Sequence, residues 1–378
     1  MFENGKIPLK RLFMSVIELF KKLLSFPSIT PNDAGAMEFI KEYLSGFEVL
    51  ESEKEGVKNL FIYKKFGEGD HLCFGGHIDV VPPGEGWETD PFTPVEKKGF
   101  IFARGAQDMK SGLAAFLWAM KNAKNFNGTL SALITSDEEG DAVWGTKYML
   151  EILKDKNMIP DFAIVAEPTC EKVFGDAVKI GRRGSINGVL RKKGLQGHAA
   201  YPEKSVNPIH KVAQVLHKIA GVDLDAGDEF FAPSKFVVTD IRAGMEVTNV
   251  TPGELKMMFN VRNNTHTDKE KIKKFIHKYF KDMNYTLELK QSAEPFITDP
   301  NTKVVKALDA AIQKETGITP KHSTAGGTSD ARFFAKHGVK VVEFGVKNDT
   351  IHAPNERTGK DEVIKLSKIF KDVIEGWN

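Results

Sequence analysis

Five short stretches of this 378-residue chain set a His, Asp or Glu beside small or turn-forming residues, often after an apolar run. They are Gly75-Gly76-His77-Ile78-Asp79, Gly105-Ala106-Gln107-Asp108-Met109-Lys110, Ser136-Asp137-Glu138-Glu139-Gly140, Ala166-Glu167-Pro168 and Ile351-His352-Ala353. Carboxylates and imidazoles are rarely buried without partners, and a pair of divalent cations would partner all of these at once. His77 and Asp79 lie two apart after an apolar strand, so they face the same side of an extended backbone. Asp79 could then accept the second ring N–H of a metal-bound His77 and fix its tautomer. Adjacent Glu138 and Glu139 could divide the work, one binding metal and one moving protons. Each stretch also has a plainer reading. Asp108 and Glu167 could be caps, the Glu138-Glu139 pair a solvated acidic turn, and His352 alone says nothing. As a set, three carboxylate ligands and two imidazoles suit two zinc-like ions bridged by one carboxylate, leaving one glutamate as general base for a metal-activated water.

The elements that must carry these residues alternate. Helices are expected over about Ser15–Ser25 and Asp33–Leu44, with strands at Leu60–Lys65 and His71–Phe74. A helix at Ser111–Asn122, a strand at Leu130–Thr135, a helix at Gly145–Lys154 and a strand at Phe162–Ala166 follow. Near-continuous apolar strands between helices predict an α/β layer with a mostly parallel sheet. The ligand candidates then fall just beyond strand ends, where such sheets place their sites. After about Arg183 the pattern changes. Ile186–Arg191, Phe236–Ile241, Leu255–Val261 and Thr286–Lys290 alternate apolar and polar residues, with helices at Pro208–Ala220 and Thr267–Met283 between them. This predicts an inserted α+β domain over 184–295, a four-stranded antiparallel sheet with two helices on one face. The first domain, 14–183, resumes at 296–378 with helices at Thr302–Thr316 and Asp330–Lys336, a strand at Val339–Phe344 and a final helix from about Lys360. Residues 1–13 read as an extension.

Composition excludes several classes. The net charge is +2, with 53 basic and 51 acidic residues, and runs such as Lys271-Ile272-Lys273-Lys274 read as solvated helix faces. No nucleic-acid partner is expected. No apolar run reaches the roughly 18 residues of a membrane span, and the N-terminus lacks the features of a signal peptide. The two cysteines, Cys73 and Cys170, stand in unrelated contexts, which points to a reducing cytoplasm and no disulfide framework.

The ordered set of motifs resembles the di-zinc aminoacylase/carboxypeptidase family of metallopeptidases, over essentially the whole chain after Met14. The resemblance implies two Zn2+ (or Co2+) ions per subunit, bridged by Asp108. His77 and Glu167 would complete one site, and Glu139 and His352 the other. Glu138 would be the base, Asp79 the residue that orients His77, and Asp108-Met109 a cis peptide. Gly181-Arg182-Arg183-Gly184-Ser185 is similar to a stretch whose first arginine meets a succinyl carboxylate, a task suited to a guanidinium fork. By the same resemblance Ser185, Arg262, Gly327, Thr328 and Asn348 would contact substrate. In Gln196-Gly197-His198-Ala199-Ala200-Tyr201-Pro202, His198 would reach the partner subunit's site and donate to the oxyanion, and Asn249 in Val-Thr-Asn-Val would also reach across. The inserted domain would thus be a dimerisation or lid domain of a homodimer.

These expectations describe an amidohydrolase for an N-succinyl amino-acid substrate. The alternatives are a deacetylase of N-acetylornithine or another N-acyl amino acid, which has less use for the arginines, and a non-catalytic metal-binding protein, which has no use for Glu138. Trp144 and the Ala353-Pro354-Asn355-Glu356-Arg357 run after His352 depart from the common pattern, and are expected to bear on fine specificity alone.

Overall fold

The computed structural model describes residues 14–377, so the extension expected over residues 1–13 lies outside the described residues. Two compact units are present. One comprises residues up to Ile180 together with Thr298–Ser323 and the chain from Ser329; the other comprises Gly181–Ile297 and Thr324–Thr328.

In the first unit an eight-stranded sheet runs in the order Glu48–Lys54, Val57–Lys65, Thr129–Thr135, His71–His77, Phe162–Val165, Lys340–Glu343, Ala177–Lys179, Lys321–Ser323. Its centre is parallel: His71–His77 pairs in parallel with both Thr129–Thr135 and Phe162–Val165, which in turn pairs in parallel with Lys340–Glu343. One edge is antiparallel, and the sequence reading missed its outermost strand, Glu48–Lys54. That strand is charged and largely solvent-facing, so no apolar alternation marks it. The local signal was the turn: Glu55 and Gly56 both take positive φ, 52° and 81°, as a type I′ two-residue hairpin loop requires.

Helices cover the sheet because their apolar residues recur at helical spacing. Val16–Leu24 buries Leu19, Phe20, Leu23 and Leu24 and starts with a reciprocal cap, Ser15 Oγ accepting the Glu18 N–H at 3.2 Å and Glu18 accepting the Ser15 N–H at 2.8 Å. Lys110–Asn122 is apolar on nearly every side, as a helix enclosed by other elements must be. It packs with Val16–Leu24 and the C-terminal helix Lys360–Glu375.

In the second unit, Lys235–Ala243, Glu254–Arg262, Ser185–Lys193 and Tyr285–Ala293 form an antiparallel sheet in that order. Strict alternation buries Leu255, Met257, Phe259 and Val261 on one face. There they meet Ile272, Ile276 and Phe280 of helix Lys269–Phe280, and Val212 and Ile219 of helix Pro208–Ile219. No helix among the described residues is long and apolar enough to cross a membrane.

Candidate metal centre

The C-terminal ends of the central parallel strands carry the cluster. His77 ends the strand His71–His77, Glu138 and Glu139 follow Thr129–Thr135, and Glu167 follows Phe162–Val165. Asp108 stands just before helix Lys110–Asn122, and the Asp108-Met109 peptide is cis. That helix approaches the strand ends closely: a Cβ on Gly112 would stand 2.1 Å from the Ala166 carbonyl oxygen. Only glycine allows this approach, and it brings the Asp108 turn up to Glu167.

Asp108 lies between the two imidazoles. Its Oδ1 is 3.1 Å from His77 Nε2, and its Oδ2 is 3.5 Å from His352 Nε2. His77 Nε2 is 3.8 Å from Glu167 Oε1, and His352 Nε2 is 2.9 Å from Glu139 Oε1. Ligand atoms of His77, Asp108 and Glu139 lie within 4.8 Å of one another, as do those of His77, Glu138 and Glu167. Glu138 is therefore near enough to ligate, and distance alone does not separate it from Glu139. The cluster thus brings together all six side chains that the motifs singled out as ligands or base.

The electrostatics ask for positive charge. Burial pushes Glu138 and Glu167 well above the usual carboxylate range, with the charge of Asp108 adding to both. Glu167 Oε1 is buried and makes no hydrogen bond. Asp108 would also be raised by burial, but hydrogen bonds from His352 and His77 hold it well below its ordinary value. Burial alone would lower His77; the Asp108 hydrogen bond and the charges of Asp79, Glu167 and Glu138 more than reverse this. A buried, unbonded carboxylate oxygen facing an imidazole in such a group fits a divalent cation, which supplies the missing partner without a proton.

Asp79 does a different job from the one its spacing suggested. The ring nitrogen Nδ1 of His77 is 2.9 Å from the backbone carbonyl of Asp79, and its distance to the Asp79 carboxylate is 3.6 Å. The carboxylate instead accepts the backbone N–H groups of Glu138, at 3.4 Å, and Glu139, at 3.1 Å. The residue does hold the His77 ring, but by its main chain, because turn amides beyond the next strand occupy its side chain. Burial pushes Asp79 up to about 6.

Sequence reasoning missed Arg104 and Glu356. Glu356 belongs to the run expected to affect fine specificity alone, yet its Oε1 accepts the Asp108 N–H at 3.1 Å. Its Oε2 lies 2.7 Å from Arg104, and both side chains are fully buried. A buried Arg-Glu pair leaves no periodic signal; the one hint was a charged residue in each of two turns. Trp144, the other departure, stacks edge-on with Tyr148 and lies under the Lys54 ammonium, while Asp137 accepts its backbone N–H.

Asn348 is exposed in the first unit, its N–H donating to the Cys170 carbonyl. Arg182, Ser185, His198, Asn249, Arg262, Gly327 and Thr328 all belong to the second unit. There Arg182 is buried and donates to the Ala325 carbonyl at 3.0 Å, and Ser185 Oγ accepts from Asn260. His198, Arg262, Gly327 and Thr328 are exposed. Nδ1 of His198 accepts the Ala200 N–H at 3.0 Å. The neutral ring then carries its proton on Nε2, free to donate.

Over residues 73–376 the chain matches the profile of peptidase family M20/M25/M40. It belongs to this family. It is 89% identical over 365 residues to a protein of Nautilia profundicola named succinyl-diaminopimelate desuccinylase, covering 97% of this chain and all of that one. A protein of the same name from Nitratiruptor sp. is 74% identical over 96% of this chain and the whole of its own length. Among solved structures, the M20 metallo-carboxypeptidase Sso-CP2 of Sulfolobus solfataricus superposes with a TM-score of 0.75 at 19% identity, over 97% of this chain and 99% of that one. The YXEP protein of Bacillus subtilis, described as a dinuclear metal binding peptidase, gives 0.67 at 14% identity, over 95% and 96%. The chain therefore has the M20 fold, a largely parallel central sheet with a separate four-stranded antiparallel sheet, and is a metal-dependent hydrolase.

Proposed function

We propose that the chain hydrolyses N-succinyl-LL-2,6-diaminopimelate to succinate and LL-2,6-diaminopimelate, with two zinc or cobalt ions per subunit. The observation that carries the chemistry is the position of Asp108, whose two carboxylate oxygens face different imidazoles, as a bridging carboxylate must. The high identity to relatives of that name, over their whole length, carries the substrate and disfavours a deacetylase. On this reading His77 and Glu167 complete one site, and Glu139 and His352 the other. Bound there, the ions would polarise the amide carbonyl and lower the pKa of an attacking water.

The chain's own groups do the rest. Glu138 takes the proton from the attacking water and delivers it to the leaving amine. Asp79 holds the turn that presents Glu138 and Glu139, and its carbonyl orients His77. Arg182 pairs with the succinyl carboxylate, with Ser185, Arg262, Gly327, Thr328 and Asn348 lining the substrate. His198, its Nε2 proton free, and Asn249 act on the partner subunit's substrate in a homodimer formed by the inserted domain. Exposed apolar residues of that domain, among them Ile209, Val237, Ile241 and Val247, support such an interface. The enzyme works in the cytoplasm, in keeping with two free, buried cysteines.

The test is an assay of zinc-loaded protein. It should release succinate from N-succinyl-LL-2,6-diaminopimelate far faster than acetate from N-acetylornithine. The reverse order defeats the substrate assignment, and absence of any amide hydrolysis defeats the hydrolase reading. Arg182→Ala should chiefly raise KM, by about 10–100-fold for a charge-assisted hydrogen bond worth about 1.5–3 kcal/mol.

A further inference from the structure

Residues 103–108 and 349–356 form two turns without helix or strand pairing at the points where they carry Asp108 and His352, so their backbone amides need partners from elsewhere. Glu356 and Arg104 supply them. Glu356 Oε1 accepts the N–H groups of Gln107, at 2.7 Å, and Asp108, at 3.1 Å. Its Oε2 accepts the Gly105 N–H at 2.9 Å and an Arg104 N–H at 2.7 Å. Arg104 continues outward: its Nη2 donates to the carbonyls of Pro83, at 3.0 Å, and His352, at 3.2 Å. One buried ion pair therefore grips three turns: that of Asp108, that of His352, and the one that follows His77 and Asp79. Gln107 adds a second tie, accepting the Thr350 N–H at 2.8 Å and donating to Asp349. The Asp108 turn is tight as well: Gly105 takes φ +80°, and a Cβ there would stand 2.6 Å from Val80.

We propose that Arg104 and Glu356 are a positioning pair for the metal centre, setting the separation of Asp108 and His352 and so the affinity for the ion they share. The proposal rests on the reading of those two residues as ligands. Neither Arg104 nor Glu356 touches metal or substrate; they act through the backbone that carries the ligands. Both oxygens of Glu356 are committed to N–H donors on two sides. A carboxamide offers one acceptor and one donor, so Glu356→Gln must turn an NH2 toward either the Gln107/Asp108 pair or the Gly105/Arg104 pair. The Asp108 turn is released in both orientations. Arg104→Lys keeps the charge beside Glu356 but has no planar fork to span Pro83 and His352.

The test uses the full chain stripped of metal by chelation and titrated with Co2+, following visible absorption and competition with a chromophoric chelator. Asp108→Ala and His352→Ala serve as references, and circular dichroism confirms folding. Glu356→Gln should bind Co2+ about 10–100-fold more weakly, the range for residues that orient ligands from outside, with an altered absorption spectrum. Arg104→Lys should weaken binding less, and Glu356→Asp, which keeps both acceptor oxygens, should recover part of the loss. Wild-type affinity and spectrum in a folded Glu356→Gln protein overturn the proposal. If that variant does not fold, the same result for Arg104→Lys overturns it. If Asp108→Ala and His352→Ala themselves bind Co2+ normally, the ligand reading fails and the proposal falls with it, an outcome distinct from failure of the pair alone.

Discussion

Two histidines stand at opposite ends of one strand, His71 at the start and His77 at the end, and their environments differ in sign. His71 is held by Ser131, whose Oγ lies 2.7 Å from Nε2, and burial pushes its pKa down to about 4. One carboxylate, Asp161, is nearby, but it accepts the backbone N–H of His71. His77 is more deeply buried, yet its pKa is pushed up, because burial is outweighed by Asp108, Asp79, Glu167 and Glu138. Strand and flanking strands are the same at both ends. The difference lies in where the connections deliver their acids: every parallel strand of the centre ends on the same side, and the turns that follow carry the carboxylates there. One end of the sheet is built for packing, and the other gathers imidazoles and carboxylates.

The largest effect that could break this contrast is at Asp108. Asp108→Ala should lose bound metal and turnover together, by more than the roughly 10–100-fold expected of an outer partner. Metal content per chain and turnover are the measurements, and an unchanged metal content would remove Asp108 as the feature that sets His77 apart. Glu138→Gln should lower kcat by about 100- to 10,000-fold, the range for loss of a general acid–base group, with metal content unchanged. Loss of metal in that variant would instead place Glu138 among the ligands, an arrangement its distance to His77 and Glu167 permits.

At the other end the expected effects are on stability. His71 has a folded pKa of about 4 against an ordinary 6.5, so between these values the unfolded chain binds the extra proton. Its contribution is fully present above pH 6.5 and is lost as pH falls toward 4, to a total of at most about 3 kcal/mol. Denaturant unfolding of metal-stripped protein across this window should show a shallower pH slope in His71→Gln than in the parent; parallel slopes would mean that His71 is not held neutral. Smallest is Ser131→Ala, which should cost about 0.5–1.5 kcal/mol in the same unfolding measurement. Any change in its metal content would blur the distinction between the two ends.

Much of this was legible in the sequence because the information is local. The apolar runs that end at His77, Thr135 and Val165 predict buried parallel strands, and the acidic or imidazole residues just beyond them mark one end of a sheet. The alternation of Leu255, Met257, Phe259 and Val261 predicts a sheet with one buried face, which the second unit forms. What was missed is non-local. The strand Glu48–Lys54 is charged and pairs on one side only, so nothing in its own composition announces it. Asp79 was expected to turn its carboxylate to His77 because the two share a face of the strand, but the amides of Glu138 and Glu139, which the fold brings alongside, occupy that carboxylate. Glu356 looked like a peripheral departure, and its four hydrogen bonds to Arg104, Gly105, Gln107 and Asp108 exist only once distant turns meet.

By itself, then, the sequence determined which residue types stand at which strand ends, and with them the chemistry: imidazoles and carboxylates in turns that a buried site can use. It did so because strand and helix periodicity and turn residues act over a few positions. Only the tertiary structure decided how those turns are held against one another. It made Asp108 face His77 with one oxygen and His352 with the other, gave the Asp79 side chain to the Glu138-Glu139 turn, and set a buried Arg104–Glu356 pair behind Asp108 and His352. Such contacts join residues far apart in the chain, and their geometry depends on close packing and on satisfying every buried amide, neither of which can be read from one segment at a time.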